Sequence, residues 1–288
     1  MALHDTDVFV RLERFYDAVP RDAAVAEEIG GFVLFVREGE GWPYYARPRP
    51  GAGTPSAADI TAVRRRQREL GVPEAFEWVH ETTPDLLAVA RSAGLDVLLA
   101  PLMVLERAAL VPDLPLPDAA IRLLDPASPG FARDLAAARA VAHLGFSTPA
   151  ARAAVAPGQL AAGPAGPSER DALPSLSEAA IEAQRTMYAG GLITGAVVES
   201  PVDGILASGV IQRVGDVAEI AGVATLPSAR NRGYASQLTA SLARQALQQG
   251  VDLVFLSAGD DDVARLYSKV GFRRIGTACI ASPAAATL

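Results

Sequence analysis

One stretch of the sequence combines arginine, glycine and small residues between a predicted strand and a predicted helix. It runs from Val223 to Ala235, and Arg230, Gly233 and Ala235 fit the pattern Arg/Gln-x-x-Gly-x-Gly/Ala. Backbone N–H groups at a helix N-terminus point outward, and the helix dipole favours negative charge there. Glycine and alanine let an anion approach the backbone closely. The stretch therefore predicts a cradle for a pyrophosphate group, to which Arg230 and Arg232 can add charge.

A second motif follows the next predicted strand, Val251–Leu256. The run Asp260–Phe272 resembles the pattern Asn-x-x-Ala-x-x-Leu-Tyr-x-x-x-Gly-Phe, with Asp260 in place of asparagine and Val263 in place of alanine. The matching positions are Leu266, Tyr267, Gly271 and Phe272. Together the two motifs resemble the coenzyme A site of the GNAT superfamily of N-acyltransferases. The resemblance extends over residues 120–288.

The resemblance implies direct acyl transfer, in which an amine attacks the thioester carbonyl of bound acetyl-CoA. Acetyl-CoA is the expected co-substrate, and its pyrophosphate is expected to lie on the arginine–glycine loop. The residues expected to bind the coenzyme are Val223, Ala224, Thr225, Arg230, Asn231, Arg232, Gly233, Tyr234, Ala235, Ser236 and Asp260. Two other phosphate-binding patterns, Gly-x-Gly-x-x-Gly and Gly-x-x-x-x-Gly-Lys-Ser/Thr, do not occur in the chain.

Direct transfer needs three groups besides the coenzyme site. A backbone N–H on the strand Val223–Thr225 is expected to donate to the carbonyl oxygen as charge develops. By the resemblance, Tyr267 is the acid that protonates the thiolate leaving group. An amine near its reference pKa of about 10 is mostly protonated at neutral pH, so a base is useful. Glu219 is the candidate base, acting through water, because it lies on the strand that reaches the site.

Each of these assignments has a plainer alternative. Tyr267 shares a helical stripe with Val263 and Val270, so packing alone could explain it. Glu219 could simply face solvent, and Gly233 could simply start a helix. The function also has alternatives: a non-catalytic acyl-CoA-binding or regulatory protein on the same fold, or an acyltransferase with another acyl group or an alcohol acceptor. The acceptor, expected to be a small-molecule or peptide amine, carries no motif.

The second half of the chain alternates predicted helices and strands around these motifs. A glycine- and proline-rich stretch, residues 145–174, predicts a long functional loop. The predicted helices are Phe131–Leu144, Ser177–Ala189, Gly233–Gln249 and Asp261–Val270. The predicted strands are Thr194–Glu199, Ile205–Arg213, Val217–Thr225, Val251–Leu256 and Phe272–Ile280.

The first half has fewer elements and no cradle. A helix is predicted over Ser56–Leu70, and another begins with Thr83 as N-cap and ends before Gly94. The predicted strands are Gly31–Val36, one that begins at Tyr44, Ala75–Val79 and Leu95–Leu105. The connection 46–56 contains glycine but lacks the Arg/Gln-x-x-Gly-x-Gly/Ala pattern.

The two halves share a predicted internal repeat. A strand and a helix separate Gly71 from Gly94, 23 residues later, and Gly250 from Gly271, 21 residues later. Aligning the second glycine of each pair places Ala90 opposite Tyr267. We therefore predict an α/β (α+β) chain of two acyl-CoA N-acyltransferase-like lobes, each a mixed and mostly antiparallel sheet flanked by helices.

Two domains are predicted. Residues 1–115 form a degenerate and incomplete lobe with a packing or substrate-shaping role, and residues 116–288 form the N-acetyltransferase. Val111–Asp118, with three prolines, is interpreted as the linker between them.

Composition limits the other possibilities. A formal net charge of −7 makes general nucleic-acid binding unexpected. One cysteine and three scattered histidines offer no disulfide framework and no metal-ligand spacing. No apolar run is long enough for a membrane span, and the start of the chain does not resemble a signal peptide. A cytoplasmic protein, monomeric or homodimeric, is expected.

Overall fold

The computed structural model describes residues 5–41, 43–148 and 164–284. These residues divide into two units. Unit 1 combines the described residues up to Val104 with Phe255–Arg265 and the residues from Arg273 onward. Unit 2 combines Leu105–Val254 with Leu266–Phe272. Both units draw on both halves of the sequence, and a division into domains at residue 115 stays a prediction.

The α-helices and strands described before the proline-rich segment come mostly from the first hundred residues. They are α1 (Asp5–Ala18), β1 (Ala24–Ile29), β2 (Phe32–Arg37), β3 (Arg47–Pro48), α2 (Ala57–Leu70), β4 (Phe76–Val79), α3 (Leu86–Ser92) and β5 (Leu95–Leu105). The elements that follow it, up to the first motif, are β6 (Ala120–Leu123), α4 (Phe131–Ser147), α5 (Pro167–Asp171), α6 (Glu178–Ala189), β7 (Ile193–Ser200), β8 (Gly204–Val214) and β9 (Val217–Thr225). The chain continues through α7 (Tyr234–Gln248), β10 (Leu253–Ser257), α8 (Asp261–Val270) and β11 (Phe272–Pro283).

The strands of unit 1 interleave segments from the two ends of the sequence. Its larger sheet has the order β4-β11-β5-β10. Strand β11 pairs antiparallel with β4, where Cys279 lies opposite Trp78. Strand β5 pairs antiparallel with the end of β10, where Leu256 lies opposite Met103. Strand β11, from the end of the sequence, therefore lies between β4 and β5 of the first half. Strand β5 in turn lies between β11 and β10.

A hydrophobic core holds this interleaved sheet together. Phe76 and Trp78 of β4, Leu86 and Ala90 of α3, and Cys279 of β11 are all buried in one cluster. Helix α2 packs on the same cluster through Ile60 and Val63, and its buried Gln67 donates to the Ala75 carbonyl at 2.9 Å. Burial raises the pKa of the Cys279 thiol to about 11, which suits a small core residue.

Unit 2 is built on an antiparallel meander, with the strand order β9-β8-β7-β6. Helices α4 and α7 both pack against β8 and β9. They cover opposite faces. Ser208 of β8 donates to the Ala138 carbonyl of α4 at 2.8 Å, whereas a β-carbon on neighbouring Gly209 would lie 3.0 Å from Leu242 of α7. The three central strands match the predicted meander closely.

Several predicted boundaries were wrong. Helix α3 begins at Leu86 with Asp85 as N-cap and no side-chain cap, so Thr83 is not the N-cap. Part of the predicted loop 145–174 is helical, because α4 continues to Ser147 and α5 spans Pro167–Asp171. Residues 149–163 of that loop lie outside the described residues.

Besides α5, three other elements among the described residues were not predicted: α1, β1 and β6. Helix α1 carries the period of an amphipathic helix, since Val8, Leu12 and Phe15 are buried at spacings of four and three residues. Strand β6 was missed because it is short and contains a charged residue, Arg122. The residues that form ion pairs with it, Asp134 and Glu199, are distant in sequence. Among the described residues, the helices are too short or too polar to traverse a lipid bilayer.

Candidate coenzyme and catalytic site

Strand β9 reaches the site through a β-bulge. Ala221 pairs with Val210 and Ala224 pairs with Ser208, so Gly222 and Val223 together oppose a single residue of β8. Gly222 has φ of +62°, a conformation that glycine adopts without strain. A bulge leaves the extra residue out of the ladder and bends the strand. The irregularity therefore lies within the segment expected to donate an N–H to the thioester carbonyl.

The loop after β9 contains two residues in the left-handed region. Asn231 has φ of +65° and Gly233 has φ of +78°. Asparagine is among the few non-glycine residues that tolerate this conformation. Left-handed residues alternating with ordinary ones turn successive N–H groups toward a common point, which forms an anion-binding concavity. The conformation agrees with the predicted cradle.

Helix α7 begins directly after Gly233 and has an open N-terminus. Its N-cap Gly233 has no side chain to accept a hydrogen bond. The first intrahelical bond of this turn runs from Gln237 N to Gly233 O at 3.1 Å. The N–H groups of Tyr234, Ala235 and Ser236 precede it and have no acceptor within the helix. Three donors and the positive end of the dipole are therefore available to an anion.

The corresponding helix of the first half, α2, has its N-terminus filled. Ser56 is the N-cap and accepts a hydrogen bond from Asp59 N at 3.2 Å, and Asp59 accepts one from Ser56 N at 2.8 Å. The bond from the Ser56 backbone is the main reason why the pKa of Asp59 is lowered. The capping box thus places a carboxylate of the chain itself at the N-terminus of α2, whereas the N-cap of α7 has no side chain.

Arg230 is directed toward helix α4. Its Nη2 donates to the carbonyl oxygens of Gly145 at 2.7 Å and Thr148 at 2.8 Å. A cation at the C-terminal end of a helix is favourable, because the last carbonyls lack partners there. Gly145 also approaches β9 closely, since a β-carbon on it would lie 2.9 Å from Ala224 Cβ. Arg230 therefore ties the end of α4 to the loop, and its predicted phosphate contact stays a prediction.

Arg232 and Tyr234 flank Gly233 and share one partner. Tyr234 Oη donates to Asp118 Oδ1 at 2.8 Å, and Arg232 Nη1 lies 3.3 Å from Asp118 Oδ2. Tyr234 is buried, whereas Arg232 and Asp118 are about half exposed. Burial and the bond to Asp118 raise the pKa of Tyr234.

Tyr267 lies on α8 with a buried side chain, 7% exposed. Its ring packs against Phe272 with a centroid separation of 6.3 Å. Burial raises the pKa of Tyr267 to about 12, so the phenol stays protonated at neutral pH. A protonated hydroxyl is what a general acid requires.

Asp260 caps the N-terminus of α8, because its Oδ1 accepts a hydrogen bond from Val263 N at 2.8 Å. Aspartate and asparagine are both good N-caps, so the replacement keeps this bond. Whether Asp260 also binds the coenzyme stays a prediction.

Glu219 is half-buried on β9 and pairs in register with Gln212. Ala221 and Ala224 pair with Val210 and Ser208, so Glu219 shares their face of the strand, which α4 covers. Ala224 lies five positions further along the strand, a distance of roughly 14 Å where the strand is bulged. Its role as a base through water stays a prediction.

Comparison with known proteins shows which fold carries these elements. Residues 197–281 match a family model described as FR47-like protein. The GCN5-related N-acetyltransferase from Kribbella flavida has a TM-score of 0.67 and 21% identity, and the match covers 97% of both chains. The chain has the GNAT fold. The predicted fold class and the resemblance to the GNAT superfamily are thereby confirmed.

Other solved structures share the GNAT fold over most of the chain. A GCN5-related N-acetyltransferase-like protein from Streptococcus suis has a TM-score of 0.52 at 13% identity, covering 97% of this chain and 99% of that one. A tandem GNAT protein from the clavulanic acid biosynthesis pathway has a TM-score of 0.51 at 15% identity, covering 88% and 79%. No curated protein sequence matches the chain significantly.

The structure brings most of the predicted coenzyme residues of this GNAT fold into one continuous segment, from the bulge to the first turn of α7. Sequence reasoning missed two participants. Gly222 carried a signal, since a glycine inside a strand pattern often marks a bulge. Asp118 carried none, because it lies in a proline-rich segment remote in sequence from the loop it contacts. No group of three or more acidic, histidine or cysteine side chains within residues 5–41, 43–148 and 164–284 could hold a metal ion.

Proposed function

We propose that the protein is an N-acetyltransferase that moves an acetyl group from acetyl-CoA to the primary amine of a small molecule or peptide. The GNAT fold supports acyltransferase activity and acyl-CoA binding in general. The observation that carries the proposal is the open N-terminus of α7. Its free donors follow a loop with two left-handed residues, which suits the pyrophosphate of a coenzyme.

The proposed reaction is a single displacement through a tetrahedral intermediate. The amine nitrogen forms a bond to the acetyl carbon, and the carbon–sulfur bond to coenzyme A breaks. A backbone N–H in the bulged segment Gly222–Thr225 stabilises the negative oxygen that forms on the way. The proton that the amine loses passes to water held by Glu219, and the departing thiolate takes a proton from Tyr267.

The state of Tyr267 suits this role. With a pKa raised to about 12 by burial, the phenol is protonated across the physiological range. A coenzyme thiolate is a weaker base than a phenolate of that pKa, so proton transfer from Tyr267 to the sulfur is uphill even after the carbon–sulfur bond has broken. Tyr267 is therefore expected to stabilise the developing thiolate mainly through its hydrogen bond, and a proton that it gives to the sulfur is replaced from solvent.

The first half of the chain is proposed to be a degenerate lobe without catalysis. The N-terminus of α2 is closed by Ser56 and Asp59, and the position aligned with Tyr267 is Ala90, which is buried. Neither an anion cradle nor an acid is therefore available at the corresponding places.

A non-catalytic acyl-CoA-binding protein is the second candidate. The contact that favours it is the packing of Tyr267 on Phe272, which gives the tyrosine a structural role. Both candidates bind the coenzyme, so only turnover separates them.

The test is a screen for acetyl-CoA-dependent release of coenzyme A over amino acids, polyamines, aminoglycosides and peptides. Turnover with at least one amine is expected. Tyr267→Phe is expected to lower turnover at least tenfold and to leave acetyl-CoA affinity nearly unchanged, an effect of the order expected for a general acid. Tyr188→Phe is the matched control, because Tyr188 is also buried in unit 2 with a pKa raised to about 12. Equal turnover in the two variants would remove Tyr267 from the mechanism.

Coenzyme binding is tested separately by calorimetry with Gly233→Leu. Leucine at this position fills the approach to the cradle and is expected to abolish measurable binding. Gly215→Leu is the control, since Gly215 also has positive φ with open space around it but lies in the turn before β9. Binding by the Gly233 variant at the affinity of the control would overturn the cradle assignment.

A further inference from the structure

A single carboxylate contacts the residues on both sides of Gly233. Asp118 accepts from the Tyr234 hydroxyl at 2.8 Å and lies 3.3 Å from the Arg232 guanidinium. Asp118 therefore places a negative charge beside a site whose open donors suit a negatively charged ligand. A carboxylate in this position repels an anion, and its other interactions show what else it does.

The position of Asp118 is fixed by the segment that carries it. Residues 111–118 run beside α7 and are held along its length. Arg244 Nη1 donates to the Val111 carbonyl at 3.0 Å, and Leu114 N donates to Gln237 Oε1 at 3.2 Å. The contacts with Arg232 and Tyr234 complete this series at the N-terminus of the helix. The contacts of residues 111–118 with α7 thus hold the Asp118 carboxylate at the N-terminus of that helix.

One purpose of Asp118 is structural. The Tyr234 side chain is 1% exposed, and a buried hydroxyl without a partner is costly. A neutral amide oxygen would accept the same hydrogen bond. The hydrogen bond to Tyr234 therefore does not require a negative charge. The charge of Asp118 also attracts the guanidinium of Arg232, a side chain at the cradle that is exposed enough to contact a phosphate.

We propose that Asp118 sets the affinity of the cradle for coenzyme A by competing with the coenzyme's phosphates for Arg232. This rests on the proposed function. In the free protein, Arg232 is partly neutralised by Asp118. A phosphate that approaches Arg232 must share the guanidinium with the carboxylate and is repelled by it. Coenzyme A binds more weakly than it would to the same cradle without this charge, which favours release of the product after transfer.

The test uses Asp118→Asn in the full-length chain, with coenzyme A binding measured by calorimetry. Asparagine keeps an acceptor for Tyr234 and removes the charge. We expect the Kd for coenzyme A to fall by about two- to fivefold, the range of one exposed charge pair. The difference should shrink at high salt, because exposed charges are screened. A purely structural role for Asp118 predicts the opposite sign or no change.

Asp113→Asn is the matched control. Asp113 lies on the same segment and pairs with Arg244 of the same helix, ten residues beyond Tyr234. It removes the same charge from the chain and should leave the Kd unchanged. An equal gain in both variants would mean that net charge, rather than the contact with Arg232, controls affinity, and would overturn the proposal.

A double-variant cycle completes the test. Arg232→Gln should weaken coenzyme A binding in the wild-type chain, and the effect of Asp118→Asn should be reduced in the Arg232→Gln background. Additive effects would overturn the competition. Failure of the wild-type protein to bind coenzyme A would instead overturn the proposed function, and the proposal about Asp118 with it.

Discussion

Gly271 and Ala109 are in such close contact that position 271 accepts only glycine. A β-carbon on Gly271 would lie 2.6 Å from the Ala109 carbonyl oxygen, and the φ of Gly271 is +120°. The same segment donates to the end of α8, from Glu106 N to Gly271 O at 2.9 Å and from Val111 N to Val270 O at 3.1 Å. The residues that follow β5 therefore fix the last turn of the helix that carries Tyr267.

Gly271→Ala is expected to destabilise the protein and to lower turnover. The methyl group must displace the backbone at Ala109, and the left-handed conformation adds strain, for a total of about 2 kcal/mol or more. Chemical denaturation measures the free energy of unfolding, and turnover is measured where the variant remains folded. Gly259→Ala is the control, because its new methyl group would have no neighbour within 4 Å and its φ lies outside the left-handed region. Equal stability of the two variants would contradict the close contact.

Stability is expected to fall in alkaline solution. Burial raises the pKa of Cys279 to about 11 and those of Tyr188 and Tyr267 to about 12. The folded protein holds these protons more tightly than the unfolded chain, whose cysteine and tyrosine pKa values are 9.0 and 10.0. The contribution is fully present below about pH 9 and is lost as the pH rises through 11 to 12.

Urea denaturation at pH 8, 10 and 11 measures this loss. Tyr188→Phe should make the pH dependence shallower, since it removes one of the three protons. A free energy of unfolding that stays constant up to pH 11 would contradict the burial of these groups.

One coenzyme A is expected to bind per chain. The N-terminus of α2 is occupied by the carboxylate of Asp59, so the first lobe offers no second cradle. Asp59→Ala should cost about 1 kcal/mol of stability through loss of the capping box. It should still leave the stoichiometry at one, because the connection 46–56 before α2 also lacks the Arg/Gln-x-x-Gly-x-Gly/Ala pattern. Calorimetry gives the stoichiometry, and chemical denaturation gives the cost. Two sites per wild-type chain would contradict the assignment of the first lobe as degenerate.

Residues 116–288 are expected not to fold when expressed alone. In the order β4-β11-β5-β10, strand β5 separates the last two strands, and the fragment lacks it. Unpaired strand edges favour aggregation. Co-expression with residues 1–115 should restore a soluble complex that unfolds cooperatively. Cooperative unfolding of the isolated fragment, followed by circular dichroism, would instead support the predicted division into independent domains.

Local patterns in the sequence carried much of the information on the second half. The meander β7–β9, helix α7 and the loop between them follow from alternation, helical period and glycine position, which involve near neighbours. The spacing of Arg230, Gly233 and Ala235 predicted a loop with an open helix N-terminus. The same reasoning could have found α1 from Val8, Leu12 and Phe15.

Contacts between residues that are distant in sequence could not be predicted from these local patterns. The partners of Arg230 lie 85 and 82 residues earlier in the chain, and nothing in the motif distinguishes a side chain that meets phosphate from one that holds a helix. The partner of Tyr234 lies 116 residues away. The internal repeat suggested two similar halves, but strand order depends on pairing across the whole sequence, and periodicity does not encode it.

The interleaved sheet of unit 1 also has a consequence for synthesis on the ribosome. Strand β11, which lies between β4 and β5, is translated after every other described strand. The first lobe therefore cannot close its sheet until β11 has left the ribosome, although its other strands emerge early. Until then the hydrophobic residues of β4 and β5 lack the strand that separates them, and the sheet of the first lobe closes late in synthesis.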